Sequence, residues 1–380
     1  MALYWYAVLF IAVLALCYVF FNYAKIKKLP EGSEARMALL RTVIKKADED
    51  GSFYPRFYFR KALVHDSVFY DDYMDALREF PTMLQLFDEE AAKGGTDGED
   101  TGELMWAFKW MLSGCEHYYQ VTREQFEGFL AEYKKRCIQY GYNLRTYYTE
   151  SMKLYRHVDR MMEDKAYYEY KRTWRDSLSD CVACDRDSEV KYFLIHGDLE
   201  KALEVAEPLL ARRLTCGEVP EATYQALTQY ACEEMAKGNP VDEEAVKKWC
   251  ECFAHPLRYR NIAIEGFGIA MIYYAMTNPS KALTWYKRYW TTFESMRNPT
   301  YKFYFAIGAV LFFQKRSKET YKMQLASNFP FYNEENVYNV KRLMQYYYDF
   351  AKDYATKLDA RNGTSDFMDE LNLFCGTIEA

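Results

Sequence analysis

Apolar residues recur along this chain with the spacing of α-helices. From residue 34 onward they return every three or four positions, and no segment alternates apolar and polar residues as a strand would. Breakers separate the periodic segments, as at Gly141, at residues 238–240 and at residues 277–279. Short breakers between helices favour antiparallel neighbours. The pattern therefore predicts an all-α fold built from helix pairs.

One helix pair is better defined than the others. It lies between residues 180 and 223, turns at Gly197, and carries Ala202 early in its second helix. Small residues at these positions let two antiparallel helices pack closely, and two later second helices begin alike, with Ala245 and Ala282 in the place of Ala202. This recurrence resembles the tetratricopeptide repeat (TPR), whose unit is about 34 residues long. It predicts a TPR-like right-handed α-solenoid of antiparallel helix pairs.

The amino-terminal segment, residues 2–21, contains twenty residues without a charge. At about 1.5 Å per residue it would span roughly 30 Å, the thickness of the hydrocarbon core of a bilayer. Lys25, Lys27 and Lys28 follow it, whereas no basic residue precedes it and no small-x-small cleavage site ends it. The sequence thus predicts one transmembrane helix, with the body on the cytoplasmic side of the inner, or cell, membrane.

These patterns divide the chain into five parts. They are a transmembrane anchor (1–24), a basic juxtamembrane linker (25–33), amino-terminal helices (34–92), an acidic Gly-rich loop (93–102) and a TPR-like helical repeat domain (103–380). The first helix after the linker carries Arg36 and Arg41, which we expect either near anionic lipid head groups or on a solvated face.

Composition narrows the functional classes. Half of the residues are apolar and 18% are aromatic, which is enough for a buried core and too apolar for a largely disordered chain. The net charge of -6 disfavours a nucleic-acid-binding protein, which would normally carry a basic domain. Ten scattered cysteines in a chain of this length indicate reduced thiols rather than a disulfide framework.

Three of the cysteines form the strongest candidate site. Cys181 and Cys184 make a C-x-x-C at a helix junction, and Cys216 lies at a similar junction one helix pair later, so adjacent repeats could bring the three thiols together. Such a set could hold a structural zinc ion, and we expect no other cofactor. Two alternatives stay open: cysteines that are buried or cap helices without metal, and a redox pair, although the βαβ context of thioredoxin-like motifs is missing.

A closed zinc site needs a fourth ligand. Glu221 is the leading candidate because it follows Cys216 at the same junction, and Glu218 or His196 comes next. The predicted metal ligands are therefore Cys181, Cys184, Cys216 and Glu221.

The segments around these thiols resemble a family of uncharacterised bacterial TPR-like proteins. That family shares a DCxAC segment, a Gly-Asp turn, an EPLL helix and an LxCxEVP segment, which here occupy residues 180–184, 197–198, 207–210 and 214–220. The resemblance implies a bacterial origin and a helical repeat, and it implies no activity. In that family a His often follows the Pro of the last segment, where this chain has Glu221.

The helices between residues 143 and 178 are crowded with aromatic residues. Amphipathic rings on a concave wall are good anchors for a protein or peptide partner, and the residues we predict for this role are Tyr147, Tyr155, Tyr168 and Trp174. The alternative is that these rings fill gaps between helices with their hydroxyls at the rim.

No catalytic signature stands in the sequence. It has no H-E-x-x-H, no P-loop and no G-x-S-x-G elbow, so we expect a protein that is not an enzyme. The leading hypothesis is a membrane-anchored scaffold for protein–protein interaction at the cytoplasmic face of a bacterial membrane. The alternative from another class is an immunity protein that neutralises a toxin, and a third is a zinc-binding sensor. The sequence leaves the oligomeric state open.

Overall fold

The computed structural model describes residues 21–70, 72–260 and 266–376. The first eight helices are α1 (residues 21–28), α2 (Glu34–Asp50), α3 (Phe53–Phe69), α4 (Tyr73–Ala91), α5 (Gly98–Cys115), α6 (Arg123–Gln139), α7 (Arg145–Tyr155) and α8 (Arg160–Arg172). The chain continues with α9 (Val182–Ile195), α10 (Leu199–Leu210), α11 (Glu221–Ala236), α12 (Glu243–Arg260), α13 (Gly266–Thr277), α14 (Pro279–Ser295), α15 (Pro299–Gln314), α16 (Val340–Asn362) and α17 (Asp366–Cys375).

A small sheet interrupts the helices between α15 and α16. Its strands β1 (Thr320–Lys322) and β2 (Val337–Asn339) pair antiparallel, with Tyr321 opposite Tyr338. The prediction of an all-α fold is therefore wrong for this hairpin. Strands of three residues are too short for an alternation of apolar and polar residues to stand out in the sequence. Apart from this hairpin, the described residues form the predicted helical fold.

The turns that separate paired helices have the expected capping chemistry. The carboxylate of Asp198 accepts the N–H of Lys201 at 2.9 Å and begins α10, and Gly197 before it has φ +75°. Asn278 caps α14 in the same way, through the N–H of Lys281 at 2.9 Å, and Pro279 then occupies the first helical position. Local sequence therefore determines where these helices begin.

The acidic Gly-rich loop is shorter than predicted. Asp97 accepts the N–H groups of Glu99 and Asp100 at 2.8 and 3.0 Å, so α5 begins at Gly98. Residues 98–102, which we predicted as loop, form the first turn of that helix, because an aspartate cap outweighs the low helix propensity of two glycines.

The chain forms two units. The first contains the described residues up to Gly114 together with Ala131–Tyr142, and its core is rich in aromatic rings, with Phe108 between Phe80 and Tyr133. In α2 of this unit, Arg36 does not face solvent or lipid head groups as expected. Its guanidinium is buried and pairs with the fully buried Asp66 at 2.6 Å.

The second unit contains Cys115–Leu130 and the described residues from Asn143 onward. Here consecutive helices pack in pairs: α7 on α8, α9 on α10, α11 on α12 and α13 on α14. The first helices of successive pairs also pack in order, α9 on α11, α11 on α13 and α13 on α15. This arrangement confirms a helical repeat in the coarse sense, because each pair buries a face against its neighbours.

Helices α13 and α15 pack closely against each other. Both helices are buried on nearly all sides, and two glycines lie where they cross. A Cβ atom at Gly268 would come within 2.5 Å of the Phe305 amide nitrogen. The absence of a side chain at Gly268 thus allows α13 and α15 to pack closely.

The prediction of a transmembrane helix requires correction. Across residues 21–70, 72–260 and 266–376, no helix is both long enough and apolar enough to cross a membrane. Residues 2–20, which carried most of the predicted anchor, lie outside the described residues. This finding contradicts both the predicted transmembrane anchor and the predicted single-pass location at the inner membrane.

Candidate metal centre

Cys181 and Cys184 lie at the amino-terminal end of α9. Cys181 is the N-cap residue, with extended backbone angles, and its Sγ accepts the N–H of Cys184 at 3.4 Å. Serine, threonine or aspartate usually fills this position. A cysteine there places one sulfur over the free N–H groups of the first helical turn and the second sulfur three residues later on the same turn.

Cys216 lies in the loop between α10 and α11. The loop turns back on itself, since the Cys216 N–H donates to the Val219 carbonyl at 2.9 Å. The Cys216 Sγ in turn accepts the N–H groups of Glu218 and Val219, each at 3.4 Å. This sulfur and that of Cys181 both face backbone donors, an arrangement that stabilises negative charge on sulfur.

The three sulfurs meet at one place, which we call the thiol cluster (Cys181, Cys184 and Cys216). All three Sγ atoms lie within 4.8 Å of one another, and those of Cys184 and Cys216 are 3.4 Å apart. Two sulfurs bound to one zinc ion at 2.3 Å in tetrahedral geometry are about 3.8 Å apart. The cluster therefore needs only small side-chain adjustments to hold a metal ion.

The thiols of the cluster differ in acidity and exposure. Partial burial raises the pKa of the Cys181 thiol, but the N–H and S–H donors around its sulfur outweigh burial and bring that pKa below its usual value. Burial and the neighbouring thiols raise the pKa of Cys184 far above its usual value. Cys181 is exposed, whereas Cys184 and Cys216 are half-buried. Cys181 is thus the first of the two C-x-x-C thiols to become a thiolate.

The structure does not bring the predicted fourth ligand to the cluster. The Glu221 carboxylate accepts a hydrogen bond from Arg212 at 3.1 Å, and no Glu, Asp or His of the described residues joins the three sulfurs. His196 lies at the opposite end of α9, where its Nε2 is 3.3 Å from Asp164, and the side chain of Glu218 is exposed. The cluster is a three-thiol site.

Asp185, which we did not predict as a site residue, fixes the turn that carries Cys184. Its buried carboxylate pairs with Arg145 at 3.2 Å and with Arg175. Arg145 also donates to the carbonyls of Tyr170 and Thr173 at 3.0 and 2.7 Å. Burial raises the pKa of Asp185 although both guanidinium groups oppose it. A carboxylate in a first helical turn is common, and no local sequence pattern indicates its two arginine partners.

The four aromatic residues predicted as partner anchors differ widely in accessibility. Trp174 is 88% exposed and Tyr168 is 57% exposed, with the guanidinium of Arg172 5.1 Å from the Tyr168 ring. Tyr147 is half-buried. Tyr155 is buried, and its ring lies 6.1 Å from that of Phe126. Trp174 and Tyr168 are therefore the two whose rings a partner could reach.

Comparison with known proteins gives no family for this arrangement. No family model, no curated protein and no solved structure matches the chain. The resemblance to bacterial TPR-like proteins, and the right-handed superhelix that it implies, therefore stay predictions.

Proposed function

We propose that this chain is a helical-repeat scaffold for protein–protein interaction whose repeat is stabilised by Zn²⁺ at the thiol cluster. The observation that carries the proposal is the approach of three sulfurs, from two segments of the chain, to within 4.8 Å of one another. Thiolate sulfur is a preferred ligand of zinc. The backbone N–H groups around Cys181 and Cys216 support the thiolate form that metal binding requires.

The proposed metal links two successive helix pairs. Cys181 and Cys184 belong to the start of α9, and Cys216 belongs to the loop that leads into α11. A Zn²⁺ ion bound to all three joins the first helix of one pair to the entry of the next. Three thiolates would come from the chain, and the fourth coordination position would be open to water or another donor.

The interaction role is supported by exposed aromatic surface. Trp174 and Tyr168 expose more than half of their side chains, and Val182 at the start of α9 is 51% exposed. Tryptophan and tyrosine are the residues most often found at the centre of protein interfaces. We propose that a protein or peptide partner covers this surface, and that the chain acts by binding rather than by catalysis.

Metal analysis of the purified chain tests the zinc proposal. We expect one Zn²⁺ per chain by elemental analysis, and with Co²⁺ in its place, visible absorption typical of tetrahedral sulfur ligation. Cys216→Ser should remove the absorption and most of the zinc. Cys252→Ser is the matched control, because Cys252 is a half-buried thiol of α12 outside the cluster. A chain that holds no stoichiometric zinc or cobalt would contradict the proposal.

The interaction role has its own test. The full chain and its Trp174→Ala variant are used as bait in cells of the source organism. We expect a protein that binds the unchanged chain stoichiometrically and is lost with the variant. If both baits bound the same set of proteins, Trp174 would not belong to the proposed binding surface.

A further inference from the structure

The two closest sulfurs of the thiol cluster come from different parts of the chain. The Sγ atoms of Cys184 and Cys216 are 3.4 Å apart although the residues are 32 positions apart in sequence. A disulfide bond is about 2.05 Å long, so the two sulfurs need to approach by roughly 1.4 Å. Cys184 is held in the first turn of α9, whereas Cys216 lies in a loop, which can supply this small movement.

The cluster is open to small molecules in solution. Cys181 is exposed, and the other two thiols are half-buried behind it. Since all three sulfurs lie within 4.8 Å of one another, an oxidised sulfur in the cluster always has a thiol beside it. An intermediate formed on one cysteine therefore meets an intramolecular partner before it meets a second oxidant molecule.

We propose that the thiol cluster is a site of reversible oxidation, at which hydrogen peroxide joins Cys184 and Cys216 in a disulfide and expels the metal. The expulsion of metal rests on the proposed zinc site, whereas the disulfide does not. Once two of the three sulfurs are bonded to each other, Cys181 alone cannot retain a zinc ion. The covalent bond then replaces the metal as the link between α9 and the loop before α11.

The reaction balances with peroxide as the sole oxidant. The Cys216 thiolate attacks one peroxide oxygen, an S–O bond forms, the O–O bond breaks, and the leaving hydroxide takes a proton to become water. The Cys184 thiol then attacks the sulfenic sulfur of Cys216, the S–S bond forms, and the S–O bond breaks with release of a second water. Two thiols lose two electrons and two protons, and one peroxide becomes two waters. A dithiol reductant reverses the change.

The test follows both products on the full chain loaded with Zn²⁺. The protein is treated with one equivalent of hydrogen peroxide, released zinc is measured with a chromogenic chelator, and disulfides are mapped by mass spectrometry of non-reduced peptides. We expect zinc release together with a peptide that links Cys184 to Cys216, and loss of that link after treatment with dithiothreitol. Cys216→Ser should abolish the link, and Cys252→Ser should leave it unchanged.

The outcomes separate this inference from the zinc proposal. A chain that contains no zinc yet forms the Cys184–Cys216 disulfide would contradict the zinc proposal and support the oxidation site. Zinc release accompanied by sulfinic acids, or by a Cys181–Cys184 link in place of the expected one, would overturn the inference while leaving zinc binding intact. The disulfides are mapped on the unchanged chain, so misfolding of a variant would not alter the conclusion about the Cys184–Cys216 link.

Discussion

Gly308 of α15 lies directly against the backbone of Ile272 in α13. A Cβ atom at Gly308 would come within 2.7 Å of the Ile272 amide nitrogen, closer than such atoms approach in folded proteins. Because backbone cannot move aside as a flexible side chain can, we expect Gly308→Ala to destabilise the second unit. The expected loss is about 1–3 kcal/mol, net of a gain of up to about 1 kcal/mol in helix propensity. Chemical denaturation followed by circular dichroism measures it.

Gly128 provides the matched control for this substitution. It also lies inside a helix, α6, but it is exposed, and a Cβ atom there would meet nothing within 4 Å. Gly128→Ala should therefore stabilise the protein slightly, by up to about 1 kcal/mol. A Gly308→Ala variant that is as stable as Gly128→Ala would contradict the close crossing of α13 and α15.

The second prediction concerns the buried ion pair of the first unit. Asp66 accepts hydrogen bonds from Arg36 at 2.6 and 3.2 Å and from the Gly32 N–H at 3.2 Å. Asp66→Asn leaves a buried guanidinium without its counter-charge, so we expect a loss of about 3–5 kcal/mol. Denaturant titration with far-ultraviolet circular dichroism measures it.

Asp50→Asn is the control for this pair. Asp50 pairs with Lys46 at 2.9 Å on the surface of the same unit, and both side chains are more than 40% exposed. Water and salt screen such a pair, so this substitution should leave the stability unchanged. Equal losses for the two variants would show that the Arg36–Asp66 pair is not buried.

Two tryptophans allow a third prediction. The Trp285 ring is buried, and its Nε1 donates to the Phe267 carbonyl at 2.8 Å, whereas Trp174 is 88% exposed. Trp285→Ala should cost about 3–5 kcal/mol, and Trp174→Ala should change stability by less than about 0.5 kcal/mol. Trp174 is the most exposed tryptophan of the described residues, so acrylamide should quench it readily and its removal should lower the quenchable fraction of the fluorescence. An unchanged fraction would contradict an accessible Trp174.

The sequence was sufficient for the helical repeat and for the three thiols. Helix positions follow from a periodicity that local backbone geometry imposes, and caps such as Asp198 determine where helices start. The thiols could be grouped because equivalent turns of successive helix pairs lie side by side. Both inferences use local sequence patterns, which can be recognised before the three-dimensional structure is known.

The predictions that were wrong depend on three-dimensional contacts that local sequence patterns do not show. Glu221 is close to Cys216 in sequence, but its carboxylate binds Arg212, whose own backbone has a positive φ of 55°. His196 and Cys181 belong to the two ends of one helix, which separates them by its length of 14 residues, or about 21 Å. The burial of Arg36 likewise depends on Asp66, which lies in another helix and shows no local signal.

The last prediction concerns a pair of carboxyl groups in the second unit. Glu233 of α11 and Glu370 of α17 lie near each other, with the Gln229 amide 3.0 Å from the Tyr304 hydroxyl and 3.4 Å from the Glu370 carboxylate. Burial raises the pKa of Glu233 to about 7 although Lys237 opposes it. Burial and the charge of Glu233 raise the pKa of Glu370 well above its usual value. Both groups therefore hold protons in the folded state that they lose on unfolding.

The sign of the pH dependence follows from this difference in proton binding. Below the unfolded-state pKa of about 4.3 both states are protonated, and the pair imposes no penalty. As the pH rises towards 7 the unfolded state loses protons that the folded state retains, so the free energy of unfolding should fall. We expect a fall of about 2–3 kcal/mol between pH 5 and pH 8 from Glu233 alone, and Glu370 adds to it in the same direction. Denaturant titrations at both pH values measure it.

Substitution of one carboxyl group isolates this effect from other titrations. Glu233→Gln removes one acid and keeps the shape, so it should flatten the fall between pH 5 and pH 8 and stabilise the protein most at the higher pH. Glu234→Gln is the control on the next residue, because Lys237 and Asn239 hold the pKa of Glu234 below its usual value. This control should retain the full slope of the unchanged chain. A Glu233→Gln variant with that same slope would mean that the two carboxyl groups do not share a partly buried site.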